Sequence, residues 1–306
     1  MKTTKYHLES NSQLFYSVAP KGNIITKDRN GIVLYKIPYT SNYDYYPVYV
    51  AEYALGSLNK YVDTDNEKYK EEFFKHADWL VENITNKGDF GVWEHRYKLP
   101  YYDFKIPWVH GMAQGLAVSA LLRAYQLTSN DTYLETAKKA YGSFEKDIEE
   151  GGIRYTDASG DTWLEEYAVL PPAHILNGFI FVLFGVYDFY NITKDKNALN
   201  LWSKEIETLE KNLRKYDNGY WSQYNLIHRH PARKSYHTLH IKQLKVLYNL
   251  TKKEIFNEYA KRWEKYLNNP INRMRVIIKR SIVHLKIHGI RGSAKKYFLR
   301  RKWLKS

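Results

Sequence analysis

Four strongly apolar segments recur along the chain at spacings of 62 to 64 residues, and each predicts an inner helix. They begin near Pro47, Gly111, His174 and Tyr236. Each is followed by an amphipathic helix rich in Lys and Glu, predicted over residues 66–85, 130–147, 194–215 and 252–268. An apolar helix paired with a charged one, four times over, predicts a mainly α fold. The expected architecture is an α/α barrel (toroid) whose inner helices line the core while the outer helices face water.

Gly-containing turns followed by aromatic residues predict β-hairpins inserted between the helices. Residues 24–36 predict a short N-terminal β-hairpin, in which Asn30-Gly31 supplies the positive φ angles of a tight turn. Aromatic strands are also predicted after the first three outer helices, at residues 88–93, 151–155 and 218–221. Because these hairpins lead into the N-termini of the inner helices, we expect them at one end of the barrel.

The pattern divides the chain into three predicted regions. An N-terminal extension with the β-hairpin covers residues 1–44, the helical barrel domain covers 45–270, and a basic amphipathic tail covers 271–306. The N-terminus lacks the apolar run of a signal peptide, and we expect no segment to span a membrane. The chain has no cysteine, which excludes disulfides and thiolate chemistry. We therefore expect a cytoplasmic protein; its oligomeric state is left open.

The net charge of +14 is concentrated in the tail. Residues 272–306 hold 12 Lys and Arg and no Asp or Glu, whereas the rest of the chain holds 35 basic and 33 acidic residues. Within the tail, Ile278, Ile282 and Leu285 recur at helical spacing among the cations. Such a segment suits peripheral contact with an anionic membrane surface, here the inner membrane face. A solvated tail is the alternative, and nucleic acid is not expected because no binding motif accompanies the charge.

Polar and aromatic side chains cluster at the predicted starts of the inner helices. The barrel would gather them at one mouth, where unpaired helix N–H groups favour an anionic ligand. The sets are Tyr45 and Tyr46; Trp108, His110 and Gln114; Glu166 and Tyr167; and Tyr236, His237 and His240. Asn177, at the start of an apolar helix, is either a helix-start polar group or a contact to sugar hydroxyls.

Each of these candidates also has a purely structural interpretation. Glu165 and Glu166 are neighbours in an extended run, so they point to opposite faces and cannot both flank one glycosidic bond; a solvated acidic turn is the alternative. Tyrosines at a barrel mouth often serve only as packing. His237 and His240, with His228 and His230 nearby, suggest a metal cluster, but this spacing is permissive and we expect no metal.

Four motifs together resemble a known family. WLEEY, HILNGFIFVLFGVYD, YNLIH and SYHTLHIKQL, in this order and spacing, resemble the C-terminal catalytic domain of D-glucuronyl C5-epimerases. GMAQG at residues 111–115 and KRWEKYL at 261–267 fit the same family, so that the resemblance spans about residues 45–268. The resemblance implies an α/α barrel, in agreement with the repeat. It also implies inversion of C5 of glucuronic acid residues in a polysaccharide, without nucleotide, metal or redox cofactor.

The resemblance implies catalytic roles for Glu166, Tyr167, Tyr224 and Tyr236. The remaining candidates are assigned to substrate binding: Tyr46, Trp108, His110, Gln114, Asn177, His228, Arg229 and His240. The family pattern usually has an arginine between the leucine and histidine of YNLIH, where it is expected to hold the uronate carboxylate. This chain has Ile227 there, and His228, Arg229 or Arg233 are expected to replace that arginine.

The implied reaction removes a proton α to a carboxylate, so it needs a base on one face of the sugar and an acid on the other. Tyrosine suits both roles, although its usual pKa of about 10 must be lowered by a nearby cation if it is to act as the base. Arg229, Arg233 or a protonated histidine are candidates for that cation. A polysaccharide lyase that uses the same proton abstraction, and a non-catalytic glycan-binding protein, remain as alternatives.

Overall fold

A computed structural model describes residues 26–37, 42–97 and 102–282 of the chain. The chain forms two compact units, Met1–Asn212 and Leu213–Ser306, and each is described by itself. Residues 24 and 25 of the predicted N-terminal hairpin lie outside the described residues, and so does the tail from 283 onward, including Leu285.

Helix pairs dominate both units. In the first unit, each inner helix is followed by its outer partner: α1 Pro47–Thr64 and α2 Glu67–Glu82, α3 Gly111–Thr128 and α4 Asp131–Gly142, α5 Leu176–Thr193 and α6 Lys196–Asn212. The second unit contains α7 Lys234–Thr251 and α8 Glu254–Asn268, followed by helical residues 270–282. Within each pair the two helices pack on each other, and in the first unit α3 also packs on α1 and α5. The predicted mainly α fold of helix pairs is confirmed; a ring of all four inner helices involves both units and stays a prediction.

Short antiparallel hairpins precede the inner helices of the first unit. The four two-stranded ladders are β1 Tyr35–Lys36 with β2 Tyr43–Asp44, β3 Thr85–Asn86 with β4 Gly91–Val92, β5 Glu94–His95 with β6 Trp108–Val109, and β7 Arg154–Thr156 with β8 Thr162–Leu164. The ladder of β5 and β6 leads directly into α3, and β8 leads through Glu165 and Glu166 toward α5. These connections deliver the candidate side chains to the starts of α3 and α5.

Three local predictions are wrong in detail. Residues 218–221 form a bend rather than a strand, because the Asn218 side chain accepts the backbone N–H of Trp221 at 2.8 Å and one bridge from Asp217 to Ser222 closes the turn. At Asn30-Gly31, Gly31 alone has a positive φ, 84°. The helix predicted from His174 begins two residues later, because His174 has a left-handed φ of 48°.

The crossing of α3 and α5 forms the centre of the first unit. Gly115 and Gly185 lie at this crossing, where a Cβ on Gly185 would fall 2.7 Å from the Gly115 carbonyl oxygen. Only glycine permits so close a backbone approach. By length and composition α5 could cross a membrane, contrary to the sequence expectation, but 72% of it is buried inside the protein. Its apolar surface is therefore explained by its position in the core.

One buried ion pair spans the same two helices. Arg123 of α3 donates from Nη1 to Oδ2 of Asp188 of α5 at 2.8 Å, and the two side chains are 5% and 0% exposed. Arg123 also donates to the carbonyl of Ser119 at 2.8 Å. A buried pair of this kind fixes relative position more than it adds stability, because desolvation offsets much of the attraction.

Candidate active site

The Glu166 carboxylate lies inside the first unit, where it is 3% exposed. Asn177, in the first turn of α5, donates from Nδ2 to Oε2 of Glu166 at 3.1 Å. The neighbouring Gly178 makes room for this carboxylate, because a Cβ there would lie 2.2 Å from the same oxygen. Asn177 and Gly178 at the start of α5 therefore form a niche that closely fits the Glu166 carboxylate.

Glu165 points away from Glu166, as expected for neighbours in an extended segment. Its Oε2 accepts the backbone N–H of His174 at 2.9 Å, and its Oε1 lies 2.5 Å from Nδ1 of the same residue. Glu165 is 1% exposed, so a solvated acidic turn is wrong for both glutamates. Glu165 instead holds the left-handed residue that precedes α5.

Tyr167 is held beside the start of α3 by main-chain pairing. It forms an antiparallel bridge with His110, and the Gly111 N–H donates to the Glu166 carbonyl at 2.7 Å. The Tyr167 ring centroid lies 4.9 Å from that of His110 and 5.8 Å from that of Trp108. Half-buried, Tyr167 therefore packs directly against two of the predicted substrate-binding residues.

His95 packs in one cluster with Tyr46, Trp108 and His110, and the sequence interpretation missed it. Its ring stacks on Trp108 at 4.3 Å and lies 5.0 Å from Tyr46 and 5.9 Å from His110. A signal was present, because Trp93 is an inward-facing residue of the same extended segment and alternation places His95 on the same side. The aromatic residues drew attention in the sequence, and the histidine two positions later did not.

The histidines of this cluster are neutral and Tyr46 is protonated. Burial lowers the pKa of His95 to about 3. Burial, assisted by the neighbouring His95, lowers the pKa of His110 well below its usual range. Burial, together with the neighbouring Tyr167, Tyr97 and Glu166, raises the pKa of Tyr46 well above 10. Tyr46 is thus a hydroxyl donor rather than a base, and these histidines do not supply the cation expected to activate a tyrosine.

The first unit therefore brings six predicted site residues together. They are Tyr46, Trp108, His110, Glu166, Tyr167 and Asn177. The distance from His110 Nε2 to Glu166 Oε1 is 3.9 Å, which is too long for a hydrogen bond. Gln114 follows His110 by one helical turn and is 0% exposed.

Tyr224 and Tyr236 form a separate pair in the second unit. Their ring centroids are 4.9 Å apart, and both pack on a small core of Trp221, Ala232 and Val276. Tyr236 lies in the first turn of α7, and the Tyr224 N–H donates to the carbonyl of His230 at 3.1 Å. The two predicted catalytic tyrosines of this unit are thus neighbours.

His237 and His240 are joined through Ser222 in the interior of the second unit. His237 Nε2 lies 3.0 Å from the Trp263 carbonyl, so it carries the proton, and Nδ1 accepts from the Ser222 hydroxyl at 2.7 Å. The same hydroxyl oxygen then accepts from His240 Nδ1 at 2.9 Å, which leaves His240 Nε2 unprotonated. Burial lowers the pKa of His237 to about 4 and that of His240 to about 3. Within the described residues no group of three or more His, Cys, Asp or Glu could hold a metal ion.

The basic residues near YNLIH lie on the surface. Ile227, at the position of the family arginine, is 40% exposed, and His228 and Arg229 beside it are exposed as well. Arg233 is the exposed residue that precedes α7. Replacement of the family arginine by one of these residues stays a prediction.

Solved structures with the same architecture are helical glycoside hydrolases. A family 76 glycoside hydrolase from a bovine Bacteroides thetaiotaomicron strain has a TM-score of 0.52 at 16% identity, over 76% of this chain and 49% of that chain. A GH76 α-mannanase of Bacteroides thetaiotaomicron has a TM-score of 0.51 at 13% identity, over 69% of this chain and 54% of that chain. At this identity the likeness shows the fold alone. These neighbours are α/α toroids, in agreement with the predicted mainly α fold class of helix pairs.

Sequence similarity identifies the family of this chain within the helical fold class. The family described as D-glucuronyl C5-epimerase C-terminus matches residues 86–265, and the chain belongs to this family. A D-glucuronyl C5-epimerase of Caenorhabditis elegans is 31% identical over 65% of this chain, a match that covers 35% of the nematode protein. An uncharacterized protein of Methanocaldococcus jannaschii is also 31% identical, over 72% of this chain and 77% of that protein.

Proposed function

We propose that this protein catalyses C5-epimerisation of glucuronic acid residues within a polysaccharide. The observation that carries the proposal is the niche of Glu166 and Asn177 beside Tyr167, in a chain of the C5-epimerase family. A buried carboxylate held by a dedicated donor and a dedicated glycine costs stability, and such arrangements concentrate at functional sites.

The chemistry requires only proton transfer. A base removes the C5 proton, the electron pair delocalises into the uronate carboxylate, and an acid returns a proton to the opposite face of the carbon. Atoms and charge balance without any co-reactant. We assign these transfers to Tyr167, Tyr224 and Tyr236, whose hydroxyls both give and take protons. Glu166, beside Tyr167 in the first unit, is assigned as a hydrogen-bond acceptor that orients a reacting group.

The cation that lowers the pKa of the tyrosine base must be a residue other than the buried histidines. His95, His110, His237 and His240 all have lowered pKa values and are neutral near pH 7. Of the cations predicted from the sequence, Arg229 and Arg233 remain. Loss of the arginine that lowers this pKa would raise the pKa of the tyrosine base. The rate would then increase only at a higher pH than in the parent.

The test is incubation of unsulfated glucuronic-acid polysaccharides with the protein in deuterated water, followed by NMR at C5. Epimerisation predicts deuterium at C5 together with new iduronate signals. An ultraviolet-absorbing unsaturated product would instead identify a lyase, which starts with the same proton abstraction. Binding without deuterium uptake would identify a non-catalytic glycan-binding protein, and either result would overturn the proposal.

We also propose peripheral binding to an anionic membrane surface through residues 272–306. The described part of this segment is helical to residue 282 and presents a stripe of exposed apolar side chains that begins one residue earlier: Ile271, Met274, Ile277, Ile278 and Ile282. Arg273, Arg275 and Lys279 on the same helix are exposed as well. Apolar side chains that enter the headgroup region, with cations for anionic lipids beside them, match the chemistry of such a surface.

The start of this segment also belongs to the packing of the second unit. Val276 is 5% exposed in the core beneath Tyr224 and Tyr236, and Arg280 donates to the Pro231 carbonyl at 2.8 Å. Deletion from residue 272 would therefore remove part of this core. A truncation meant to spare the second unit should begin at residue 283.

A further inference from the structure

The N-terminal hairpin, described over residues 26–34, is attached to outer helix α2 through a buried histidine. His76 of α2 is 0% exposed, and its Nε2 accepts the backbone N–H of Val33 at 3.3 Å. Its Nδ1 lies 2.7 Å from the carbonyl oxygen of Glu72, so Nδ1 carries the ring proton and donates. The Tyr53 ring of α1 lies 4.5 Å from the imidazole. Both ring nitrogens of the neutral form are therefore paired.

Protonation of His76 would break the contact with the hairpin. The second ring proton would sit on Nε2 and face the Val33 N–H, and two donors cannot pair. Burial favours the neutral ring and lowers the pKa of His76 from 6.5 to about 4. The hydrogen bond to the Glu72 carbonyl opposes this lowering of the pKa, and the nearby Lys27 cation adds to it. The hairpin is thus held by a group that a change in pH charges.

Each element packed around His76 contributes a charged or titratable group. The hairpin contributes Lys27, whose Nζ lies 2.7 Å from Glu72 Oε2 and 4.5 Å from the centre of the Tyr53 ring. Helix α2 contributes Glu72 and Lys75, which are 4.0 Å apart, and α1 contributes Tyr53. Of these residue types, only histidine ordinarily titrates between pH 5 and 8. A pH response of the hairpin in that range is therefore assigned to His76.

A cleft beside this contact separates the turn of the hairpin from α2. Its volume is about 480 Å³, and both elements line it, with Asp28, Asn30 and Ile32 from the hairpin and Asp78, Trp79 and Glu82 from α2. Across the rest of the boundary, Val33 meets His76 and Lys27 meets Glu72. Lys27 and Val33 also form the bridge that closes the hairpin, so loss of the Val33 bond affects the whole hairpin.

The hairpin is connected to the candidate active site through Asp28. Its Oδ2 accepts the Tyr45 hydroxyl at 2.7 Å, and the Tyr45 ring lies 5.2 Å from that of Trp79. The next residue, Tyr46, has its ring 5.7 Å from that of His110. Detachment of the hairpin would therefore remove a hydrogen bond that holds the residue next to Tyr46.

We propose that the hairpin is an acid-released element: when His76 takes up a proton, the Val33 contact is lost and the hairpin detaches from α2. Detachment frees the Tyr45 hydroxyl from Asp28 and loosens Tyr46 beside His110. The detachment itself goes beyond the proposed function. Its consequence for activity rests on that function, and a separate measurement tests it.

The direction of the pH dependence follows from the lowered pKa of His76. With the hairpin attached this pKa is about 4, and in the detached state, where the ring is solvated, it returns to the ordinary 6.5. The detached state thus binds the proton more tightly. Attachment is complete above pH 6.5 and weakens as the pH falls toward 4. Between pH 8 and pH 5 the detached fraction should rise about thirtyfold.

The test is native-state hydrogen exchange of the full-length protein, followed by NMR between pH 5 and pH 8. Protection factors are compared, because they remove the intrinsic pH dependence of exchange. The Val33 amide reports attachment of the hairpin, and the Phe184 amide in the core of α5 reports opening of the whole protein. In the parent, protection of Val33 should fall about thirtyfold from pH 8 to pH 5 and stay below that of Phe184.

Two variants separate His76 from its neighbours. His76→Gln offers the Val33 N–H an amide acceptor that does not titrate, so protection of Val33 should lose its dependence on pH. Glu72→Gln is the matched control. It weakens the pair with Lys27 and should lower protection at every pH, while the change between pH 8 and pH 5 remains. If His76→Gln does not fold, the ring nitrogen signals of the parent report the tautomer and the pKa of His76 without any substitution.

Several results would overturn the acid release. They are protection of Val33 that is flat between pH 8 and pH 5 in the parent, a parental pH dependence kept by His76→Gln, and equal protection of Val33 and Phe184. Loss of the pH dependence in Glu72→Gln would assign the response to Glu72 instead. A ring proton on Nε2 at pH 7, or a pKa near 6.5 with the hairpin attached, would contradict it as well.

Deuterium uptake at C5 of a glucuronic-acid polysaccharide, measured at pH 5 and pH 7, tests the consequence for the site. Uptake by the parent should fall more at pH 5 than uptake by His76→Gln. Equal profiles of the two proteins overturn the connection through Asp28 and Tyr45. Absence of uptake at either pH overturns epimerisation and leaves the release measured by hydrogen exchange intact.

Discussion

Asn177 donates a 3.1 Å hydrogen bond to Glu166, and this bond joins the first turn of α5 to the segment that carries Tyr167. A donor on a carboxylate favours its ionised form. Asn177→Leu keeps the shape of the side chain and removes the donor, so the pKa of Glu166 should rise. We expect the rate at neutral pH to fall about tenfold and the acid limb of the pH–rate profile to move upward.

The control for this change is Asn212→Leu. Asn212 is also buried and also donates to a carboxylate, that of Asp161 at 3.0 Å, but it lies on outer helix α6. It should lower stability without moving the pH–rate profile. If both variants leave the profile of the parent unchanged, Asn177 has no positioning role for Glu166.

Tyrosine chemistry predicts a specific loss in three variants. Tyr167→Phe, Tyr224→Phe and Tyr236→Phe each remove one hydroxyl, and loss of an acid or base should lower the rate on the order of 10²- to 10⁴-fold. Substrate affinity should change little. The measurement is deuterium uptake at C5 under single-turnover conditions. Tyr190→Phe, on a distant turn of α5, serves as the control. Near-parental exchange in all three site variants would show that the acid and base are other residues.

Glu205 predicts a pH dependence of stability. Burial raises its pKa from 4.5 to about 8, opposed by the hydrogen bond from the Thr162 hydroxyl at 2.6 Å. Because the folded state holds a proton that the unfolded state has lost, this contribution is full below pH 4.5 and disappears as the pH rises toward 8. The slope should approach about 1.4 kcal/mol per pH unit.

Glu205→Gln should remove that slope, since the amide is neutral at every pH. Chemical denaturation at several pH values between 5 and 9 tests this, with Glu207→Gln on the exposed face of α6 as the control. Parallel pH profiles for the parent and Glu205→Gln would mean that Glu205 is ionised in the folded protein.

The pair of Arg123 and Asp188 predicts strong coupling between α3 and α5. Arg123→Met leaves the Asp188 carboxylate buried and unpaired, which should cost about 3–5 kcal/mol of the free energy of unfolding. The double variant Arg123→Met, Asp188→Leu should recover most of that loss. Lys138→Met breaks an exposed pair with Glu135 and should cost less than about 1 kcal/mol. A single-variant cost no larger than that of Lys138→Met would contradict this account.

The exposed stripe of residues 271–282 predicts vesicle binding. Ile277→Asn combined with Ile282→Asn should lower partitioning onto phosphatidylserine-containing vesicles at least tenfold, since two apolar side chains no longer enter the headgroup region. Val62→Asn, on the exposed face of α1, is the matched control. Sedimentation at low and physiological salt measures the effect. Equal sedimentation of the parent with neutral and anionic vesicles would exclude the electrostatic part of the proposal.

The helix pairs were predictable because their pattern is long and repeated. The apolar runs from Pro47 and Gly111 begin where the sequence predicts. Three outer helices end within three residues of their expected boundary, whereas α4 ends at Gly142, five residues before the predicted end at 147. The start of α5 was misplaced because Glu165 holds His174 in a left-handed conformation. That contact spans nine residues and leaves no trace in local periodicity.

The site was predictable only in part, for a related reason. Glu166, Tyr167 and Asn177 were found through motifs, but the niche depends on Gly178, whose missing Cβ matters only once the carboxylate is in place. The neutrality of His110 likewise follows from burial by residues distant in sequence. Composition showed how many histidines the chain has, and only the three-dimensional surroundings decide their charge.

Helices α3 and α5 each carry candidate site residues near their N-terminus and residues that hold the two helices together. The starts of the two helices carry His110, Gln114 and Asn177, whereas Gly185 and the Arg123–Asp188 pair lie further along. Mutational libraries confined to the non-glycine positions of the first turns should therefore retain a high fraction of soluble clones, while libraries that include Gly115, Gly185 or the ion pair should not. Point substitutions near the helix starts could then change the ligand preference of the proposed site, with the packing of α3 on α5 left unchanged.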